Sequence, residues 1–218
     1  MKLYSGPLSL FTAKVRVALD EKGLAYERVE VGWSRERRYL PHHPDVVALN
    51  PKCEVPVLVD GDLVVYDSTL ILEYLDDRYP EPALRPAAPA ARARCRQFEA
   101  AADEILFPHV WTLIEEVFYP SADGARDEER QRGAMREIHG LYDGLDKELS
   151  GRGYLCGDFS VADIGTFIMT NTAATLGAVP GENHTQLRAW IDRVGARPAV
   201  RHEVDAMQAY VASVMAPA

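Results

Sequence analysis

Hydrophobic and polar positions are arranged in two ways along this chain, and the change falls near residue 80. Before it, short apolar runs sit between turn residues. Residues 2–5, Lys-Leu-Tyr-Ser, predict a short strand closed by Gly6-Pro7. From Ser9 to Lys22 the positions Leu10, Val15, Val17, Ala18 and Leu19 partly follow one helical face, and Gly23 supplies a left-handed stop. Residues 25–31, AYERVEV, alternate apolar and polar as a strand does. Gly32 to Asn50 is irregular and charged, carries Pro41 and Pro44, and holds a short helix over Pro44–Leu49. Residues 55–59 and 63–66 predict two strands joined at Asp60-Gly61, a hairpin signal. Asp67-Ser68 then caps a helix with the stripe Leu70, Ile71, Tyr74 and Leu75, ending at Arg78-Tyr79-Pro80.

Beyond Tyr79 the strand signals vanish. Residues 80–91, PEPALRPAAPAA, carry four prolines and predict a linker. Helical periodicity follows over 92–118, 126–150, 161–177, 184–195 and 198–213. The expected layout is an α/β unit over 1–79, a linker over 80–91 and an all-helical domain over 92–218.

Composition narrows the function classes. The chain has 218 residues, 47% hydrophobic and 26% charged, a globular balance. Lys and Arg number 24 against 33 Asp and Glu, a net charge of −9, which argues against a nucleic-acid binder. No apolar run approaches the ~20 residues of a membrane span, and MKLYSGPLSLF is a poor signal peptide, so a cytoplasmic protein without a membrane partner is expected. Cys53, Cys95 and Cys156 are far apart in sequence, with no zinc-ligand spacing and no disulfide framework, and nothing near Cys53 or Cys156 lowers a thiol pKa, although either is open to oxidation if exposed. The six histidines form no compact metal signature, so no metal is expected.

Four segments, in this order, carry a family resemblance: Leu3 to Ser9 with Lys14-Val15-Arg16-Val17-Ala18-Leu19 and Glu21 to Leu24; Asn50 to Leu58 with Val55-Pro56; Asp67-Ser68 with Ile71, Glu73, Tyr74 and Leu75; and Tyr154-Leu155, Gly157 and Ser160 to Ile164. Together they resemble the glutathione S-transferase superfamily over nearly the whole chain. The resemblance implies a thioredoxin-like N-terminal domain followed by an α-helical bundle, glutathione as co-substrate, a small apolar electrophile and a homodimer.

The chemistry to be served is ionisation of a thiol whose free pKa is ~8.5. A hydroxyl aimed at the sulfur near a helix N-terminus favours the thiolate. By resemblance to serine-type members, counting back from Lys14-Val15-Arg16 places the catalytic hydroxyl at Ser9; on position alone Ser9 is equally a helix cap. Tyr4 and Thr12 are the competing hydroxyls, Tyr4 as a strand packing residue and Thr12 facing solvent or the helix backbone. The resemblance gives Val55-Pro56 a cis bond, with the Val55 backbone pairing to the cysteinyl part of glutathione like an added strand. It gives Ser68 the γ-glutamyl carboxylate and Asp67 the α-amino group, and capping serves equally at both. Glu54 departs from the Lys, Arg or Gln of many members and would repel glutathione; Lys52 either offsets that charge or is solvated. His42 and His43 lie in the loop that reaches the glycyl carboxylate in relatives, or are surface residues.

Ser160-Val161-Ala162-Asp163 has the form of a capping box and reads as structural. Phe107, Trp111, Phe118 and Tyr119 either line a cleft facing Ser9 or pack the helical core. Two other readings stay open. Leu3 to Pro7, Glu21-Lys22-Gly23 and the proline-rich linker also resemble stringent starvation protein A, a non-catalytic relative that binds RNA polymerase. A glutathione-dependent isomerase is the other, although the Ser-Ser-Cys run of such members is not matched by Ser9-Leu10-Phe11.

Overall fold

The structure, a computed structural model, describes residues 1–40, 42–119 and 127–215. Pro41 of the charged loop and residue 126, the expected start of a helix, lie outside the described residues. The elements are β1 (Lys2–Ser5), α1 (Leu10–Glu21), β2 (Glu27–Glu30), α2 (Pro44–Leu49), β3 (Val57–Asp60), β4 (Leu63–Tyr66), α3 (Ser68–Arg78), α4 (Pro89–Ala101), α5 (Phe107–Phe118), α6 (Glu128–Glu148), α7 (Val161–Thr175), α8 (Thr185–Gly195) and α9 (Pro198–Met215). They divide into two units, Arg85–Ala196 and the remainder, so α9 groups with the N-terminal residues and not with the helical domain expected over 92–218.

In the first unit the strand order is β2-β1-β3-β4, with β1 parallel to β2 and antiparallel to β3, and β3 antiparallel to β4. Alternation along the strands decides what each face buries. Leu3 pairs with Leu58 and both are fully buried. Tyr4 and Val57 pair in the next row and point to the other face, where Val31 and Val46 join them and Tyr39, Leu49 and Val55 pack alongside. The hairpin turns at Gly61, which has φ +61. β2 is the exposed edge, so its alternation reads weakly.

α1 is buried on more than its apolar stripe, because α3 and α9 pack against it as well. Thr12, Lys14 and Arg16 are therefore buried together with Val15 and Leu19. Arg16 is only 3% exposed and Glu203 of α9 only 5%. The guanidinium donates through Nε to Glu203 Oε2 at 2.7 Å, pairs a second time with Glu203 Oε1, and reaches Ser5 Oγ at 2.6 Å and the Gly6 carbonyl at 3.2 Å. Arg197, just before α9, makes a second two-pronged pair with Glu21 at 2.8 and 2.6 Å. Buried Lys22 Nζ is satisfied by Asp76 Oδ1 and the carbonyls of Tyr79 and Pro82.

The second unit is helical throughout its described residues apart from its turns. The run expected as one helix over 92–118 is interrupted by a π-helical turn at Ala102–Leu106. Pro108 lacks the N–H that would bond the Glu104 carbonyl, and a widened turn ahead of it takes up the mismatch. α7 is the central helix, buried along most of its length. Asp163 in its first turn accepts from Ser160 N–H and Oγ, Leu155 N–H and Trp190 Nε1 at 2.8–3.0 Å, so the capping box is also the junction for α8.

Removing one partner of a buried ion pair leaves an uncompensated charge, at a cost of about 3–5 kcal/mol. Glu203→Ala should lose that much in urea unfolding followed by circular dichroism. Arg16→Met combined with Glu203→Leu should recover most of it.

Candidate active site

The sheet register gathers the predicted residues at one end of the first unit. Tyr4, Val57 and Tyr66 form one row across β1, β3 and β4. One step past that row β1 runs into the turn ending at Ser9, β3 is preceded by Val55-Pro56, and β4 gives way to Asp67-Ser68.

Ser9 is the N-cap of α1 with extended backbone, and its Oγ accepts the Thr12 N–H at 3.2 Å. Capping uses a lone pair and leaves the hydroxyl proton, which no described residue accepts. Tyr4, the first competitor, is spoken for: its hydroxyl donates to Asp45 Oδ2 at 2.8 Å, and burial followed by that bond raises its pKa to about 12. Thr12, expected at solvent or bonded to the helix backbone, is instead completely buried, and its Oγ1 has no partner among the described residues. The added cover from α3 and α9 is the reason.

The Val55–Pro56 bond is cis. The Val55 side chain packs on the sheet core, while its N–H and C=O make no hydrogen bond within the described residues, leaving backbone groups free for a peptide to join. Asn50 sets that edge. Buried at the end of α2, it donates through Nδ2 to the Glu54 carbonyl at 2.8 Å, accepts the Lys52 N–H through Oδ1 at 2.9 Å, and its carbonyl takes the Cys53 N–H. Cys53 is left-handed at φ +56.

Asp67 caps α3, accepting the Thr69 N–H at 3.1 Å, and holds a non-glycine backbone at φ +76, a strained conformation that costs of order 1–3 kcal/mol. Ser68, the first residue of α3, is only 4% exposed. Its N–H is one of the donors a helix leaves unsatisfied at its start. Lys52 Nζ binds Asp67 Oδ2 at 3.1 Å, and that bond raises the lysine pKa. The ammonium therefore sits at this end of the sheet, while Glu54 remains exposed two residues on.

Residues 3–83 match the glutathione S-transferase N-terminal domain and residues 98–198 the C-terminal domain. A glutathione S-transferase structure from Rhodospirillum rubrum F11 is 34% identical, over 93% of this chain and 90% of that one, with a TM-score of 0.80. The chain belongs to the glutathione S-transferase family. A theta class glutathione S-transferase from Xanthomonas axonopodis pv. citri, solved with glutathione bound, is 29% identical over 93% of this chain and 96% of that one, with a TM-score of 0.79. Glutathione as a substrate fits this family. A stringent starvation protein A homolog of Coxiella burnetii is 39% identical, but over 58% of this chain and 57% of that one, so the match spans little more than half of that relative.

Other residues singled out from the sequence take structural roles. His43 caps α2, its Nδ1 accepting the Asp45 N–H at 3.2 Å, and its ring lies 5.5 Å from that of Tyr4. His42 is exposed. Phe107, Trp111, Phe118 and Tyr119 touch one another with ring centroids 6.0–6.4 Å apart. One residue was missed: the Tyr39 hydroxyl accepts the Leu8 N–H at 3.3 Å, and its ring lies where a Cβ on Gly6 would be, 2.7 Å from the hydroxyl oxygen. A glycine at the turn preceding Ser9 was the available sign of such a close approach. Among the described residues no side chains cluster as metal ligands, and no helix is long and apolar enough to cross a membrane.

The Tyr4 phenol should keep its proton to about 12 in an alkaline absorbance titration, as should Tyr74. Its folded pKa lies above the unfolded ~10, so the stability it adds is full below pH 10 and declines as pH rises through its folded pKa. Tyr4→Phe should remove one late-titrating phenol and cost about 1 kcal/mol.

Proposed function

We propose that this chain is a glutathione transferase in which Ser9 stabilises the glutathione thiolate for attack on a small apolar electrophile. The Ser9 hydroxyl carries the reading: it caps α1 with a lone pair, and among the described residues its proton is unclaimed, at the sheet end where the Val55 backbone and the Ser68 N–H also lack partners among those residues. In the proposed complex the cysteinyl backbone of glutathione pairs with Val55, the γ-glutamyl carboxylate takes Ser68 and the N-terminus of α3, and Asp67 faces the α-amino group. The thiol proton leaves to solvent and the Ser9 O–H donates to the sulfur anion. The thiolate then forms a carbon–sulfur bond as the electrophile's leaving group departs with its electron pair. Positioning and nucleophile activation supply the rate, and no metal takes part.

A second reading rests on the identity to the Coxiella burnetii stringent starvation protein A homolog. In it the same fold binds a protein partner and Glu54 keeps glutathione out.

Calorimetric titration of glutathione into wild type and Ser9→Ala, with absorbance of the bound thiolate followed against pH, separates the two. Saturable binding by both proteins, with thiol ionisation shifted to lower pH only in wild type, is the expected result. Turnover of Ser9→Ala should then fall by about 10²–10³, the effect of removing one oxyanion donor. An absence of saturation at millimolar glutathione would discard the transferase and leave the partner-binding reading. Ser68→Ala should weaken glutathione binding roughly fivefold, equivalent to about 1 kcal/mol.

A further inference from the structure

Two cysteines that the sequence separates by sixty residues meet in the helical unit. Cys95 lies on α4 and Cys156 in the turn before α7, and α4 packs on α7. Their side chains interact with one another, and both also meet the Ser160 side chain at the start of α7, where Cys95 is in addition close to the Ala162 N–H. Cys95 has no exposed surface, whereas Cys156 is half-buried and reaches solvent. We propose that Cys95 and Cys156 are a redox pair that hydrogen peroxide closes to an intramolecular disulfide, with Cys156 as the point of entry.

Three features support this. The packing of α4 on α7 brings the two side chains to one place, and a disulfide of ~2.05 Å is the bond that would join them. The pair sits at a helix N-terminus, where N–H groups favour an anion. The expectation that nothing lowers the Cys156 pKa holds, since the neighbouring Cys95 and burial push it up, whereas Cys95 itself is shifted down. The interaction with Cys156, opposed by burial and helped by Ser160 and Ala162, brings Cys95 down to about 7, while Cys156 is pushed up. The two titrate as one system, so the charge of the singly ionised pair is available to either sulfur.

The electron balance closes with peroxide as the only co-reactant. The pair first loses one proton to solvent. The Cys156 thiolate attacks the peroxide, forming a sulfur–oxygen bond and breaking the oxygen–oxygen bond. The hydroxide released takes the Cys95 proton and becomes water. The Cys95 thiolate then attacks the sulfenic sulfur, forming the disulfide and expelling a second hydroxide, which takes up the proton first lost. Two thiols are oxidised and one peroxide is reduced to two waters.

The full-length Cys53→Ser protein isolates the pair. After peroxide treatment its free thiols should fall from two to none, peptide mapping should show Cys95 joined to Cys156 in the same chain, and dithiothreitol should restore both. Cys156→Ser in the Cys53→Ser background, with folding checked by circular dichroism, should keep the Cys95 thiol at the same dose. The proposal fails if Cys53→Ser keeps two thiols under peroxide that oxidises Cys53 in the Cys95→Ser, Cys156→Ser protein. It fails equally if Cys156 is found only in links between chains.

Discussion

A guanidinium with almost no exposed surface must find acceptors for its N–H groups, and Arg16 finds them in two places at once. Two of its contacts go to Glu203 on α9, and the others go to Ser5 and the Gly6 carbonyl, the residues where β1 turns toward α1. Burying this pair costs more than its attraction returns unless the remaining donors are satisfied. The Ser5 hydroxyl and Gly6 carbonyl meet that condition, and in doing so they are fixed themselves. The turn leading to Ser9 is thus held from beneath by Arg16 and from outside by Tyr39, which takes the Leu8 N–H. Such a turn can present a hydroxyl in one orientation, as any oxyanion donor requires.

This same pair explains why the C-terminal helix belongs with the N-terminal residues. Arg16 to Glu203 and Glu21 to Arg197 tie the middle and the C-terminal end of α1 to α9 and the residue before it. α9 completes the burial of α1, which is why a helix with a modest apolar stripe conceals Thr12, Lys14 and Arg16.

Elements whose local signals agree with their packing were legible in the sequence. The short strand at Leu3-Tyr4, the apolar run holding Val57-Leu58, the short helix after Pro44, the Gly23 stop and the Ser160 to Asp163 capping box all rest on signals within a few residues. The four proposed site residues rest on resemblance, and at Ser9 and Asp67 the capping roles read from local pattern are present. What could not be read depends on tertiary register. Arg16 and Glu203 are 187 residues apart, and neither carries a local sign of a buried partner. Lys52 meets Asp67 only because Asn50 folds its loop back. The Cys95–Cys156 approach follows from α4 lying on α7. Thr12 was misplaced for a related reason, since a polar residue on a helix is assigned to solvent unless a third packing neighbour is known.

At Ser9 and Asp67, capping and the proposed ligand binding draw on one geometry. A side-chain oxygen at a helix N-terminus accepts a backbone N–H, and the remaining N–H groups of that turn stay turned outward to an anion. Ser9 keeps its hydroxyl proton in this arrangement, so a cap contributes to stability and a donor remains for a sulfur anion. Asp67 is more heavily engaged, accepting the Thr69 N–H with one oxygen and the Lys52 ammonium with the other from a left-handed backbone. Replacing that strained residue by glycine would relax the backbone and cost only a few tenths of a kcal/mol in capping. The carboxylate would be lost, however, and with it both the anchor for Lys52 and the charge that the proposed complex places beside the glutathione amino group. Capping alone therefore does not account for an aspartate at this position, whereas the Lys52 ion pair and the charge that the proposed function sets against the glutathione amino group both call for one.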